Sequence, residues 1–203
     1  FFKSNSHALV VSQNSGIKVD GGAGGSRSNP QTSFRIEPGN SLFGEDDINY
    51  KLIPSVERLN YETFYIRNGS NQYMYYPCKD AIETTVLATG TKNNYSGYTP
   101  VNVYINGEYW GYYELREKQD ADYFKQHYNI NKDDLELLSV SYWYNSELRS
   151  VEGDSAVEHY NSDLNKFSGL STNDPDYWNK ADQFFDLEYY TDYICAQSWI
   201  ADT

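Results

Sequence analysis

The feature that most constrains this chain is a strongly alternating segment that turns back on itself at Asn106-Gly107. Asn-Gly favours a type I′ turn, because both central residues of that turn need positive φ angles. A second β-rich run returns from Tyr109 to Leu115, and apolar residues alternate strictly before the turn, at Val101, Val103 and Ile105. The segment therefore predicts an antiparallel hairpin over residues 101–115.

Three shorter segments before the hairpin also have the features of strands. Apolar residues alternate with polar ones in residues 17–19 and 34–36, and a β-prone run occupies residues 62–67. In residues 79–89 apolar residues recur at helical spacing instead, and Gly90 follows where a helix C-terminus favours glycine. These patterns predict three strands and one helix around the hairpin.

The second half of the chain changes to helical periodicity. Asp120 and Asp186 each precede a segment with apolar residues at helical spacing, so each predicts a helix N-cap. Ser155 and Glu158 match the Ser-x-x-Glu capping box ahead of a third such segment. The predicted strands precede the predicted helices along the chain. This order predicts an α+β fold, with a mainly antiparallel sheet, a central β-hairpin and C-terminal helices.

The net charge of the chain restricts its partners. The 203 residues include 29 acidic and 16 basic side chains, which gives a formal charge of −13. Such a field repels nucleic acids and anionic membrane surfaces. No apolar stretch of about 18 residues is present, so no membrane span is predicted. Aromatic residues make up 17% of the chain, which argues against disorder.

The cysteine and histidine residues show no metal-binding spacing. Cys78 and Cys195 lie far apart in sequence, and two buried free thiols are favoured over a disulfide. The three histidines, His7, His127 and His159, stand singly. We therefore expect no metal shared by the two cysteines, and no zinc site.

A glycine-rich run, Gly21–Gly25, allows two interpretations. Glycines let backbone N–H groups approach an anion, and the guanidinium group of Arg27 could donate hydrogen bonds to phosphate oxygens. However, neither standard phosphate-loop pattern fits the run, so a plain turn between strands stays open. The charged Arg116-Glu117-Lys118 triplet has the composition of a solvated strand end.

Four segments of the chain, in order, resemble the CotH family of spore-coat-protein-H-like atypical kinases. The hairpin segment VNVYINGEYWGYYELREK is the most specific of them. The four are Gly21–Ile36, Phe64–Gly69 with Lys79–Ala81, Val101–Lys118, and Val151–Asp154 with Glu158–Asn161 and Phe184–Thr203. Because the resemblance covers essentially the whole chain, it implies a single module over residues 1–203.

The resemblance implies an ATP-dependent Ser/Thr protein kinase module that uses Mg²⁺ or Mn²⁺. Its expected partner is a protein substrate with Ser/Thr acceptors, and its expected location is extracellular, at the cell surface or in the spore coat of a bacterium. Nucleotide binding is expected at four positions. Arg27 falls in the phosphate-facing turn, and Lys79 starts a helix where the family has arginine. Glu117 falls at an acidic position that orients a cation or helps to hold metal.

Two departures from the family pattern are expected to affect catalysis. Thr32 stands where the family has a phosphate-contacting lysine, so turnover should fall unless Lys18 or Arg35 substitutes. Asp202-Thr203 matches the start of the family's catalytic segment, which puts the catalytic aspartate just after Thr203 and the metal-binding aspartate further on. We therefore expect residues 1–203 to be a piece truncated on its C-terminal side, with no catalytic or metal-binding residue and no activity alone.

Two other functions remain open. The chain could be a non-catalytic extracellular module that binds carbohydrate or protein through aromatic platforms such as Trp110, Trp143 and Tyr144. It could also be a degenerate kinase fold used for assembly, and Thr32 favours that interpretation. Other modules of the same chain are expected partners in each case. A kinase site should need a divalent cation to bind ATP, whereas a sugar platform should not.

Overall fold

The computed structural model describes residues 1–22, 26–69, 79–141 and 147–200. The strands are β1 (Gly16–Asp20), β2 (Ser33–Glu37), β3 (Ile48–Asn49), β4 (Asn60–Tyr61), β5 (Phe64–Arg67), β6 (Tyr98–Ile105), β7 (Glu108–Glu117), β8 (Leu137–Ser141) and β9 (Glu147–Glu152). The α+β prediction is confirmed: five strands form an antiparallel sheet in the order β1-β2-β5-β7-β6, and two small two-stranded sheets are formed by β3-β4 and β8-β9.

The β6–β7 hairpin lies where the alternating segment predicted it. Asn106 and Gly107 have φ angles of 53° and 83°, as the type I′ turn requires. The strand register shifts between Val103 and Tyr104, which marks a bulge or irregularity in the ladder. Gly111, on β7, has a φ angle of 153°, and a Cβ atom there would lie 2.5 Å from Nε2 of Gln31. Glycine at this position therefore lets the segment before β2 pack closely against the hairpin.

One face of the five-stranded sheet packs on the main core. Because side chains alternate across a strand, Phe64 and Ile66 of β5 point to this face together with Tyr113 and Leu115 of β7. The ring of Phe64 meets Tyr61 edge-on, with centroids 6.1 Å apart. The other buried side chains of this core come from β2 and from residues 48–61. They are Ile36, Ile48, Leu52, Ile53 and Val56. The segment between β3 and β4 thus covers the sheet.

The helices are α1 (Lys79–Ala88), α2 (Ala121–Tyr128), α3 (Ala156–Ser168), α4 (Tyr177–Ala181) and α5 (Leu187–Trp199). Two predicted N-caps are confirmed. The carboxylate of Asp120 accepts the N–H of Tyr123 at 3.2 Å, and that of Asp186 accepts the N–H of Tyr189 at 2.8 Å. None of the helices in the described part of the chain is long and apolar enough to cross a membrane.

The predicted capping box at the start of α3 is wrong. Ser155 has φ −97° and ψ 6° rather than extended backbone angles, and its side chain makes no capping hydrogen bond. The helix α1 ends at Ala88, just before Gly90 as predicted, although Gly90 does not adopt the positive φ angle of a glycine cap. Hydroxyl groups bind the last carbonyls instead: Thr89 Oγ1 donates to the carbonyl of Thr85 at 2.9 Å, and Thr91 Oγ1 to that of Leu87 at 2.8 Å.

Two further features differ from the sequence expectations or fall outside the described residues. The β8–β9 hairpin, against which α3 packs, was not predicted. Cys195 is a free and exposed thiol, so the expectation of a buried thiol is wrong at that position. The side chain lies on the solvent side of α5, where burial is slight. Cys78, Trp143, Tyr144 and Thr203 lie outside the described residues.

Candidate functional site

The β1–β2 connection carries two of the predicted nucleotide-binding residues. Arg27 is exposed in a single 3₁₀ turn, Ser26–Ser28. Thr32 is half-buried directly before β2, and its carbonyl accepts the hydroxyl of Tyr113 at 3.0 Å. The Tyr113 hydroxyl thus ties the connection to β7, while the Arg27 side chain is exposed to solvent.

A cluster of polar side chains holds this connection against the end of β5. Ser33 Oγ donates to Oδ1 of Asn68 at 2.9 Å and accepts the backbone N–H of Asn68 at 3.0 Å. The Ser33 N–H donates to Oγ of Ser26 at 2.8 Å. On the other side, Nε2 of Gln31 donates to the carbonyl of Tyr112 at 2.7 Å. The turn that carries Arg27 is therefore linked to three strands of the sheet.

Glu117 lies at the end of β7, and its side chain is fully buried. Oε2 accepts the N–H of Gly97 at 2.9 Å, and Oε1 lies 2.8 Å from Nε2 of His127. Oε1 is also 3.6 Å from Nη1 of Arg58, which is an ion-pair distance. A Cβ atom on Gly97 would stand 2.8 Å from Oε2, so glycine permits this approach. Both carboxylate oxygens are thus in contact with protein groups. The prediction that the charged triplet forms a solvated strand end is therefore wrong at Glu117.

Arg58 is the cation at the centre of this buried network. Its side chain is fully buried, and Nη2 pairs with the carboxylate of Asp122. Nε donates to the carbonyl of Asn60 at 2.8 Å, and the guanidinium lies 4.7 Å from the ring centroid of Tyr61. Burial and the negative charge of Glu117 raise the pKa of Tyr61 to about 12. Sequence reasoning missed Arg58, although a buried carboxylate at Glu117 requires a basic partner.

The structure brings Arg27 and Thr32 to the same connection and places Glu117 elsewhere. Glu117 is four residues along β7 from Tyr113, which corresponds to about 13 Å of strand. Its side chain points to the core face of the sheet, with Leu115 and Tyr113. Lys79 is the first residue of α1, and that helix reaches β7 through Nη1 of Arg116, which donates to Thr84 Oγ1 at 3.2 Å.

The opposite face of the sheet carries a row of basic residues. Strand register aligns Lys18, Arg35, Tyr65 and Arg116 across four neighbouring strands. Lys18 Nζ and Arg35 Nε both pair with Glu37, at 3.0 and 2.9 Å. Partial burial tends to raise the pKa of Glu37, but the Lys18 hydrogen bond and the Arg35 charge outweigh it and hold that pKa below its usual range. The two cations that could substitute at Thr32 therefore share one carboxylate.

The described residues offer little for a metal ion. No group of three or more His, Cys, Asp or Glu side chains able to hold one occurs within residues 1–22, 26–69, 79–141 and 147–200. The carboxylate of Glu117 is engaged by Gly97, His127 and Arg58. At the β1–β2 connection, the guanidinium group of Arg27 suits phosphate oxygens rather than a bare metal.

A family model described as CotH kinase protein matches residues 17–203. The chain belongs to the CotH kinase family. No curated protein matches it. Membership makes this chain a kinase-related protein, and the CotH family is associated with the spore coat. The matched range includes the β1–β2 connection, the hairpin and every helix described above.

Proposed function

We propose that this chain is the nucleotide-binding part of a CotH kinase module that uses ATP with Mg²⁺ or Mn²⁺ to phosphorylate Ser or Thr residues of secreted, surface or coat proteins. The observation that carries the proposal is the exposed Arg27 in the turn Ser26–Ser28, which is anchored to β2 through the hydrogen bond from Ser33 to Ser26. Bound ATP would supply the phosphoryl group. Family membership supports this assignment.

Arg27 is proposed to bind phosphate oxygens. Its guanidinium offers parallel N–H donors to a phosphate, and it is exposed at the turn. Lys79 adds a cation at the N-terminal residue of α1, where the helix dipole also favours an anion. The overall charge of −13 repels the nucleotide, so a divalent cation should be needed to reduce the repulsion.

Glu117 is proposed to orient a cation rather than to hold metal. Its two oxygens contact Gly97, His127 and Arg58 in a site without solvent access. A buried carboxylate whose two oxygens already contact protein groups is poorly placed to hold a metal ion, but it pairs with the guanidinium of Arg58. Its contribution to nucleotide binding would then be indirect, through the packing of α2 against the sheet.

A second candidate function is carbohydrate binding at the tip of the β6–β7 hairpin. Trp110 is exposed there, and the exposed rings of Tyr104 and Tyr109 meet edge-on with centroids 5.5 Å apart. Tyr112 adds a further exposed ring on β7. Aromatic side chains with one apolar face and one polar edge suit sugar rings.

Calorimetric titration separates the two functions. MgATP and MnATP should bind the chain weakly, and Arg27→Ala should weaken binding about tenfold by removing a charge-assisted contact. Arg149→Ala, which removes an equal charge from exposed β9, is the matched control and should leave binding unchanged. Absence of metal-dependent ATP binding would contradict the proposal, and metal-independent binding of an oligosaccharide would favour the second function.

Phosphoryl transfer needs a separate measurement, because the resemblance expects the catalytic aspartate after Thr203. Residues 1–203 alone should transfer no radiolabelled phosphate to a Ser-rich acceptor. In a chain extended past Thr203, transfer should appear with Mg²⁺ or Mn²⁺, and Thr32→Lys should raise turnover by restoring a cation near the phosphates. Transfer by residues 1–203 would show that the placement of the catalytic residue is wrong.

A further inference from the structure

We infer that Asn68 is a positioning residue for nucleotide binding, because it fixes the turn that carries Arg27. The inference rests on the proposed function, because Asn68 would affect nucleotide binding through the position of Arg27. Asn68 follows the last residue of β5, at the point where Gly69 turns the chain with a φ angle of 65°. It stands across from the segment that leads into β2.

The carboxamide of Asn68 contacts Gln31 in the β1–β2 connection and Ser33, the first residue of β2, at once. Oδ1 accepts the hydroxyl of Ser33 at 2.9 Å, and Nδ2 donates to the carbonyl of Gln31. The Asn68 N–H donates to the same Ser33 hydroxyl at 3.0 Å. Ser33 is buried and Asn68 is half-buried, so water competes poorly for these bonds.

These bonds lead directly to Arg27. The N–H of Ser33 donates to the side chain of Ser26, the residue before Arg27, at 2.8 Å. Gln31 is held from the other side by the carbonyl of Tyr112. Asn68 thus fixes both the entrance to β2 and, through Ser33, the residue next to the exposed guanidinium.

Asparagine fits this position because the two contacts need one hydrogen-bond acceptor and one donor on the same side chain. The carboxamide supplies one acceptor and one donor at the same distance from the backbone. Aspartate would keep the bond from Ser33 but present a second acceptor to the Gln31 carbonyl, and alanine would remove both contacts. We therefore expect Asn68→Asp and Asn68→Ala to release the turn while the rest of the sheet stays folded.

A double-mutant cycle in residues 1–203 tests the inference, with the affinity for MgATP as the readout. Asn68→Ala should weaken binding about tenfold, but should add less than about twofold when Arg27 is already alanine, because coupled residues are not additive. Asn102→Ala, an exposed asparagine on β6, is the control and should have no effect. Equal weakening in both backgrounds, or a lowered melting temperature with unchanged affinity, would overturn the inference.

Hydrogen exchange keeps this test separate from the proposed function. The N–H of Ser33 should exchange about tenfold faster in Asn68→Ala than in the parent protein, with no nucleotide present. If the parent protein binds no MgATP, the proposed function fails and exchange alone decides whether Asn68 fixes the turn. Unchanged exchange at Ser33 would overturn the inference in either case.

Discussion

The sheet part of the molecule, residues 16–117, and its helical part, residues 155–200, differ in what they bury. The sheet part encloses a core of ten hydrophobic side chains, among them Phe64, Tyr61 and Tyr113. In the helical part the fully buried residues are small or polar, namely Ala156, Ala181, Ala196 and Gln197. Hydrophobic burial therefore stabilises the first part, while the second depends on caps, local hydrogen bonds and its contacts with the first.

The two parts also differ in charge. The helical part contains 8 acidic and 2 basic side chains, whereas the sheet part contains 12 and 9. A nearly neutral region can accept an anionic ligand more easily than a strongly acidic one. The parts meet where α5 packs on α1, with Gln197 Nε2 donating to Glu83 at 2.8 Å and Asn93 donating to the carbonyl of Tyr189 at 3.0 Å.

The largest expected difference concerns aromatic side chains. Phe64→Ala should lower the free energy of unfolding by about 3–5 kcal/mol, because a large cavity opens in the core. Trp178→Ala should change it by less than about 0.5 kcal/mol, since the side chain is 70% exposed. Urea denaturation of both variants measures the difference. Similar losses would mean that the helical part has a hydrophobic core of its own.

A smaller difference is expected between buried and exposed ion pairs. Arg58→Ala should cost about 3 kcal/mol, because Glu117 keeps a buried charge without its cation. Lys166→Ala removes an exposed pair with Asp163 in the helical part and should cost less than about 0.5 kcal/mol. Thermal and urea unfolding report both values. An Arg58→Ala variant as stable as the parent would show that the network contributes nothing to folding.

Local capping is expected to matter at one helix of the helical part and not at another. Asp186→Ala should destabilise α5 by about 1 kcal/mol through loss of its N-cap. Ser155→Ala should have almost no effect on α3, since that hydroxyl makes no capping bond. Hydrogen exchange in the first turn of each helix distinguishes the two. A comparable destabilisation of α3 in Ser155→Ala would show that the Ser155 hydroxyl does cap this helix.

The smallest expected effect is a pH dependence in the sheet part. The pKa of Glu37 is lower in the folded protein than in the unfolded chain, so its ionised form stabilises the fold above the unfolded pKa. This contribution disappears as the pH falls through the folded pKa. Glu37→Gln should therefore cost about 0.5 kcal/mol at neutral pH and nothing at about pH 2. Glu57→Gln removes a carboxylate from a side chain that is 95% exposed, and as the control it should leave the free energy of unfolding at neutral pH nearly unchanged.

Features set by neighbouring residues could be predicted from the sequence. The Asn106-Gly107 turn and the caps at Asp120 and Asp186 each depend on a few consecutive residues, and the structure confirms them. The β8–β9 hairpin was missed because most of the described side chains of both strands are exposed, so alternation between a buried and a solvent face is weak.

Contacts between distant residues could not be predicted in the same way. Arg58 and Asp122 are 64 residues apart, and Ser33 and Asn68 are 35 apart. No pattern in the sequence around Asp122 or Asn68 indicates either partner, because only the strand order brings these residues beside Arg58 and Ser33. The resemblance identified the family, while the nucleotide-binding roles of Arg27, Thr32, Lys79 and Glu117 stay predictions.

The sheet order leaves β6 with an outer edge that no strand covers among the described residues. An uncovered edge can add a strand from another molecule and start aggregation. Two features of β6 oppose this: Pro100 has no N–H group to donate, and the irregularity between Val103 and Tyr104 interrupts the regular spacing of the ladder. A concentrated solution of the protein should therefore resist edge-to-edge association, although the hairpin exposes a long and largely uncharged strand.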